Sequence, residues 1–306
     1  SSGRRATSRA TGVLREPGAT ITAARPRPIH SSTSVAHIVA WSAADHPVCS
    51  PSIAATLGRI VTAVTDQHTA DPATDQWRRV HGPLAAWSVG RGPRLVFLHG
   101  FTQTSQSWRR IAGSLAVDGY ECVVVDLPGH GGSSHVRADL RTGADLIATF
   151  GPAVLIGYSM GGRFALQTAF THPASVTALV TIGATPGIDD ELERAARRTS
   201  DEQLALRLGD IGVEQFAREW TEQAIFGGHR LTDDDRDARL TNTPDGLASS
   251  LRLAGTGSQL SLWHRLAELT MPVLAIAGAN DAKFVAIGRQ IAASVPDGRF
   301  AEISGA

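Results

Sequence analysis

Val154-Leu155-Ile156-Gly157-Tyr158-Ser159-Met160-Gly161-Gly162-Arg163-Phe164-Ala165-Leu166 runs from one apolar segment, through a serine flanked by glycines, into another. Val154 to Gly157 has the length and content of a short buried strand, and Gly161 to Phe170 carries helical spacing. The serine between them fits Gly-x-Ser-x-Gly. A tight strand-to-helix turn projects the hydroxyl and draws the backbone against its neighbours, so a side chain at Gly157 or Gly161 would collide. Ser159 then stands at a helix N-terminus, where free N–H groups and the helix dipole favour developing negative charge. An ordinary Gly-rich turn with a helix-start serine is the alternative, and the flanking strand and helix argue against it.

The same alternation continues on both sides. Leu84 to Val89 and Arg94 to Leu98 read as strands joined by the turn Gly90-Arg91-Gly92-Pro93. A helix pattern runs from Ser107 to about Ala116, and Glu121 to Asp126 makes the next strand, closed by Leu127-Pro128-Gly129-His130-Gly131. Ala138 to Phe150 reads as a helix and Val176 to Ile182 as a strand. Strand, helix, strand in repetition predicts an α/β chain with a doubly wound, mostly parallel sheet. From about Pro186 to Leu262 charged amphipathic helices replace the strand signal, before Pro272 to Gly278 restores an apolar strand. That is a helical lid inserted between sheet strands, at about 186–262, within a domain spanning 77–306.

The 306 residues suffice for one large domain with an insertion. With 29 basic and 29 acidic side chains the formal net charge is zero, so no global field recruits nucleic acid or an anionic membrane surface. No apolar run approaches the roughly 20 residues of a membrane helix. Two cysteines, Cys49 and Cys122, are too few for a disulfide scaffold, which points to a reducing, cytoplasmic setting.

Residues 1–76 stand apart as an N-terminal extension. Ser1 to Ala44 holds six Arg and one acid, Glu16, among many Ser, Thr, Ala and Pro. This is the composition of a disordered tail or a transit peptide, and the tail is the reading taken. The first methionine is Met160, so translation of sequence upstream of the true start is a third reading. Ile53, Leu57, Ile60, Val61 and Val64 recur at helical spacing and predict one amphipathic helix, packed on the core.

In a doubly wound fold with such a serine turn, the loop after the strand ending in His99-Gly100-Phe101 supplies an oxyanion donor, making the backbone N–H groups of Phe101 and Met160 the expected pair. His99 and His130 read as turn braces rather than bases, and Asp126 as a bracing acid. The order nucleophile, acid, histidine puts the acid after a late strand, and Asp281 answers. The histidine should follow one more helix and strand, which Phe284 to Ala293 and Arg299 to Ile303 supply. No histidine occurs after His264. The histidine expected as base is therefore absent from this sequence, and a chain without it is expected to be inactive.

Leu98-His99-Gly100-Phe101-Thr102, Asp126-Leu127-Pro128-Gly129-His130-Gly131 and Gly157-Tyr158-Ser159-Met160-Gly161-Gly162-Arg163 together resemble the α/β-hydrolase fold. More narrowly, the chain from about Val80 to Ala306 is similar to the 2-succinyl-6-hydroxy-2,4-cyclohexadiene-1-carboxylate synthases, menaquinone-pathway lyases that expel pyruvate. Thr185-Pro186-Gly187, Glu193-Arg194-Ala195-Ala196-Arg197-Arg198, Phe216 to Trp220, Ile225-Phe226, Gly255-Thr256-Gly257, Ser261-Leu262-Trp263 and Asp281-Ala282-Lys283-Phe284 carry that narrower match. The first 76 residues and the missing final Gly-His depart from it, and the resemblance implies a histidine just after Ala306, near position 308. The resemblance implies a small-molecule carboxylate substrate and no metal or cofactor.

Arg163 lies four residues after Ser159, one helical turn on, where a guanidinium can grip a substrate carboxylate bidentately. Of Arg194, Arg197 and Arg198, at least one can point at the cleft, the alternative being a solvated face paired to Asp190, Glu191 and Glu193. The resemblance tips Arg197 toward substrate binding and gives Tyr158 a hydroxyl role beside the serine. Trp220 and Phe226 are candidate cleft walls. The expected mechanism is proton abstraction by Ser159, coupled to a histidine and Asp281, followed by elimination. The other readings are a serine hydrolase of an acidic ester or C–C bond, and a non-catalytic binding protein on the same fold.

Overall fold

The computed structural model describes residues 51–65, 76–222 and 232–305, all within the compact unit Ser34–Ala306. In chain order the elements are α1 (Pro51–Thr65), β1 (Arg78–Val80), β2 (Ala86–Gly90), β3 (Arg94–Leu98), α2 (Arg109–Val117), β4 (Glu121–Val125), α3 (Leu140–Ala148), β5 (Ala153–Tyr158) and α4 (Met160–Thr171). They continue as β6 (Val176–Ile182), α5 (Glu191–Thr221), α6 (Asp233–Leu240), α7 (Pro244–Ala254), β7 (Val273–Gly278), α8 (Ala282–Ser294) and β8 (Gly298–Ile303). Short 3-10 turns punctuate the connections.

The strands form one sheet in the order β1-β2-β4-β3-β5-β6-β7-β8. From β4 to β8 every neighbour is parallel, while β1 and β2 join antiparallel. β5 and β7 are buried along almost their whole length, which is why they read as continuous apolar runs. The strands on either side of the Gly90-Arg91-Gly92-Pro93 turn do not pair with each other, because β4 lies between β2 and β3. The turn passes over the start of β4 so closely that a Cβ on Gly92, whose φ is +128°, would sit 2.0 Å from the Gly119 carbonyl oxygen. Only a glycine backbone fits that crossing.

One sheet face packs on α3 and α4 around Leu98, Leu155, Phe164 and Leu166. The other packs on α1 and α2 around Phe97, Val124, Ile156, Leu57 and Ile60. The helix expected from residues 53–64 is therefore present and docked on the core, with Leu57 and Ile60 fully buried. The remaining residues of the N-terminal stretch, 1–50 and 66–75, lie outside the described residues, as does Cys49, and so do the readings that concern them.

Between β6 and β7 the described residues are mainly helical. α5 breaks at Gly212, where φ is 74°, and doubles back on itself. Asp190, Thr232 and Thr243 cap α5, α6 and α7 by accepting the N–H of the residue three positions on. A lid core forms from Ala205, Leu208, Phe216, Leu247 and Leu251, with Phe101 of the main domain packed against it. Among the described residues no helix is long and apolar enough to cross a membrane.

Candidate active site

Ser159 sits between β5 and α4 with φ 51° and ψ −109°. That left-handed φ is costly for a residue with a Cβ and persists only where the surroundings over-determine it. They do so here. The Ser159 N–H donates to the Ile182 carbonyl at 2.8 Å, locking the turn to the end of β6. A Cβ on Gly157 would lie 2.4 Å from the Gly161 carbonyl carbon, and one on Gly161 would lie 2.1 Å from the Leu98 oxygen. The two glycines are therefore steric requirements of the bend, and the serine is partly open to solvent at its apex.

The neighbouring β3 is followed by His99, Gly100 and Phe101. The Gly100 N–H donates to Gln103 Oε1 at 2.8 Å, and the Gln103 N–H donates back to the Gly100 carbonyl. A Cβ on Gly100 would come within 2.8 Å of the Tyr158 ring, so this loop presses on the residue before the serine. Met160 opens α4 and its N–H has no acceptor within the helix. His99 braces the loop: its Nε2 accepts the Leu127 N–H at 3.0 Å and its Nδ1 meets the Gly100 carbonyl oxygen at 2.8 Å. Complete burial pulls its pKa down to about 4 and that of His130 to about 3, so both are neutral near pH 7. Asp126 accepts the N–H groups of Ser105 and Gly132 at 2.7 and 2.8 Å, the bracing role expected of it.

Asp281 follows β7 at the same end of the sheet. Its Oδ1 accepts the Phe284 N–H at 3.0 Å, capping α8. Its charge reaches the Tyr158 hydroxyl, which burial and this carboxylate push above the usual phenol range while Arg239 pulls the other way. The end of β8 lies against the loop carrying Asp281, because the Ala279 N–H donates to the Ile303 carbonyl at 2.9 Å.

Arg163 is buried on α4, and its Nη1 donates to the Ala254 carbonyl at 2.7 Å. Burial, with Arg197 nearby, lowers its pKa to about 10, which leaves it charged at neutral pH. Arg197 is half-buried and its Nε donates to Asp201 Oδ1 at 2.8 Å. Asp201 is buried and also accepts the Gly257 N–H at 3.2 Å. The other two arginines of this turn hold backbone, Arg194 at Ile188 and Arg198 at Gly257. Trp220 stacks on Phe216 at 6.0 Å and meets the Phe101 ring edge-on at 5.1 Å. Phe226 and the position expected for a histidine lie outside the described residues.

Sequence reasoning missed Arg239, Asn242 and Asp201. Arg239 sits in Asp233–Leu240, a charged run that reads as a solvated face, yet it is 6% exposed and donates to the Thr102 hydroxyl. Burial lowers its pKa, offset by Asp235 and Tyr158. Asn242 and Asp201 look like ordinary turn and helix polar residues, and nothing local marks them as buried.

The family model for the alpha/beta hydrolase fold matches residues 93–306. A putative 2-succinyl-6-hydroxy-2,4-cyclohexadiene-1-carboxylate synthase from Bacillus subtilis is 37% identical over 233 residues, covering 71% of this chain and 82% of the relative. The synthase of the same name from Salmonella typhimurium is 32% identical over 215 residues, covering 66% and 83%. The solved structure of MenH from S. aureus superposes with a TM-score of 0.66 at 30% identity, covering 76% of this chain and 90% of that one.

Proposed function

This chain belongs to the alpha/beta hydrolase fold family, among the 2-succinyl-6-hydroxy-2,4-cyclohexadiene-1-carboxylate synthases, and from that premise we propose that it is a lyase of menaquinone biosynthesis. It eliminates pyruvate from 2-succinyl-5-enolpyruvyl-6-hydroxy-3-cyclohexene-1-carboxylate. The observation that carries this reading is a strained serine one helical turn from a buried, charged arginine. A hydrolase of neutral esters has no use for that charge, whereas a substrate bearing several carboxylates does.

The reaction begins with Ser159. A histidine entering just past Ala306 would arrive beside Asp281, since the end of β8 is tied to the Asp281 loop, and would take the serine proton. The alkoxide removes the ring proton next to the succinyl carbonyl. The N–H groups of Phe101 and Met160 receive the enolate oxygen. The electron pair then moves through the ring and breaks the C–O bond to the enolpyruvyl group, which leaves as pyruvate after taking up a proton. Arg163 and Arg197 hold carboxylates, with Asp201 orienting the Arg197 fork, and Arg239 adds a third cation near Tyr158. Phe101 and Trp220, packed edge-on with Phe216 behind them in the lid core, wall the cleft and exclude water, which favours elimination over hydrolysis.

The test is pyruvate release from that substrate by the full-length protein. Ser159→Ala should lower turnover by about 10⁴-fold or more. Retained turnover, or release of an acid and an alcohol without pyruvate, would overturn the lyase reading.

A further inference from the structure

We propose that Asn242, on the turn leaving α6, is a positioning residue that holds Thr102 in its left-handed conformation and thereby aims the Phe101 N–H at the reacting oxygen. The inference rests on the reading of Ser159 and Phe101 given above and adds to it a residue of the lid.

Thr102 directly follows Phe101. It is fully buried, β-branched, and has φ 65°, a conformation that such residues avoid. The main domain fixes the loop on either side of it, through His99, through the Gly100–Gln103 pair and through Ser105 on Asp126. Thr102 itself is held from the lid. Asn242 Nδ2 donates to its carbonyl oxygen at 2.8 Å, and Arg239 donates to its hydroxyl. The Asn242 amide is otherwise engaged: Nδ2 also donates to the Arg239 carbonyl at 2.9 Å, and Oδ1 accepts the Gly131 N–H at 2.9 Å. At 5% exposure, this one side chain ties two main-domain loops and the end of α6 together.

A threonine released from that hold relaxes toward φ below zero. The peptide plane between Phe101 and Thr102 turns with it, and the oxyanion loop shifts. Misplacement of about 1 Å is enough to cost a large part of the rate.

The experiment measures fluorophosphonate labelling of Ser159 in the full-length protein, which needs the serine and the oxyanion donors but not the natural substrate. Asn242→Ala is expected to slow the labelling rate of folded protein about 10- to 100-fold. Adding Thr102→Gly, which adopts a left-handed φ freely, is expected to restore most of that rate. A merely structural asparagine would lower the melting temperature without this loss or this rescue. Should Asn242→Ala fail to fold, Asn242→Asp keeps the acceptor for Gly131 and removes the donor to the Thr102 and Arg239 carbonyls, and it should show the same slowing. Labelling at the unmutated rate, or no recovery with glycine at 102, would overturn the proposal. Absence of labelling in the unmutated protein would overturn it together with the serine reading, whereas a failure to release pyruvate alone would touch only the substrate assignment.

Discussion

Arg163 on α4 hydrogen-bonds the carbonyl oxygen of Ala254 at 2.7 Å, joining the helix that begins at the serine to the last turn of a lid helix. The same guanidinium that the substrate is proposed to use therefore also sets where the lid sits. Arg163→Ala should raise KM for the carboxylate substrate by tenfold or more and also cost about 1–3 kcal/mol, because the Ala254 oxygen is left buried and unpaired. Arg163→Lys keeps the charge but not the fork, so it should recover part of the stability and little of the affinity. Steady-state kinetics and urea unfolding on both variants check this.

The glycines at the bend and in the lid should respond oppositely to alanine. Gly161→Ala puts a methyl group 2.1 Å from the Leu98 oxygen, which is backbone and cannot give way. It should destabilise by about 1–3 kcal/mol and abolish Ser159 labelling. Gly209 is exposed on α5 with nothing within 4 Å of its Cβ position. Gly209→Ala should stabilise by about 0.5–1 kcal/mol. Denaturant midpoints of the two variants give opposite signs.

α1 should behave as part of the domain. Leu57 is fully buried against the α2 face, and Tyr120 donates its hydroxyl to Thr56 at 3.2 Å. Leu57→Ala should cost about 2–5 kcal/mol. A cost below about 0.5 kcal/mol in urea unfolding would mean that α1 is not docked in solution.

Stability should fall in mild acid. His99 and His130 have folded pKa values of about 4 and about 3, both below the 6.5 of an unfolded histidine. The unfolded chain therefore binds these protons first, so their contribution is fully present above pH 6.5 and is lost as pH drops toward 4. At roughly 1.4 kcal/mol per pH unit for each group, the two together account for about 5 kcal/mol between pH 6.5 and 4.5. Unfolding free energies measured across that range should show the loss. Replacing His130 with leucine should make the slope shallower by about one proton.

Much of this protein was legible along the chain. The strand, serine turn and helix appear as adjacent apolar, small and apolar residues, because steric limits at a bend act on nearest neighbours. The bracing roles of His99 and Asp126 followed from their places in turns, and the amphipathic spacing of Ile53 to Val64 marked a docked helix. The lid was harder. Its boundaries showed as a loss of strand signal, but Arg194, Arg197 and Arg198 look alike in sequence, and they differ in the structure by which partner each reaches.

The sequence by itself determined the doubly wound sheet, the bend that lifts Ser159 and the family to which the chain belongs. Periodicity and close packing are written into residues a few positions apart. Tertiary structure decided which charges are buried and what they hold. Arg163 meets Ala254 across 91 positions, Arg239 meets Thr102 across 137, and Asn242 meets it across 140. Whether a polar side chain in a charged helix faces water or a loop depends on what packs over it, and that neighbour comes from a distant part of the chain.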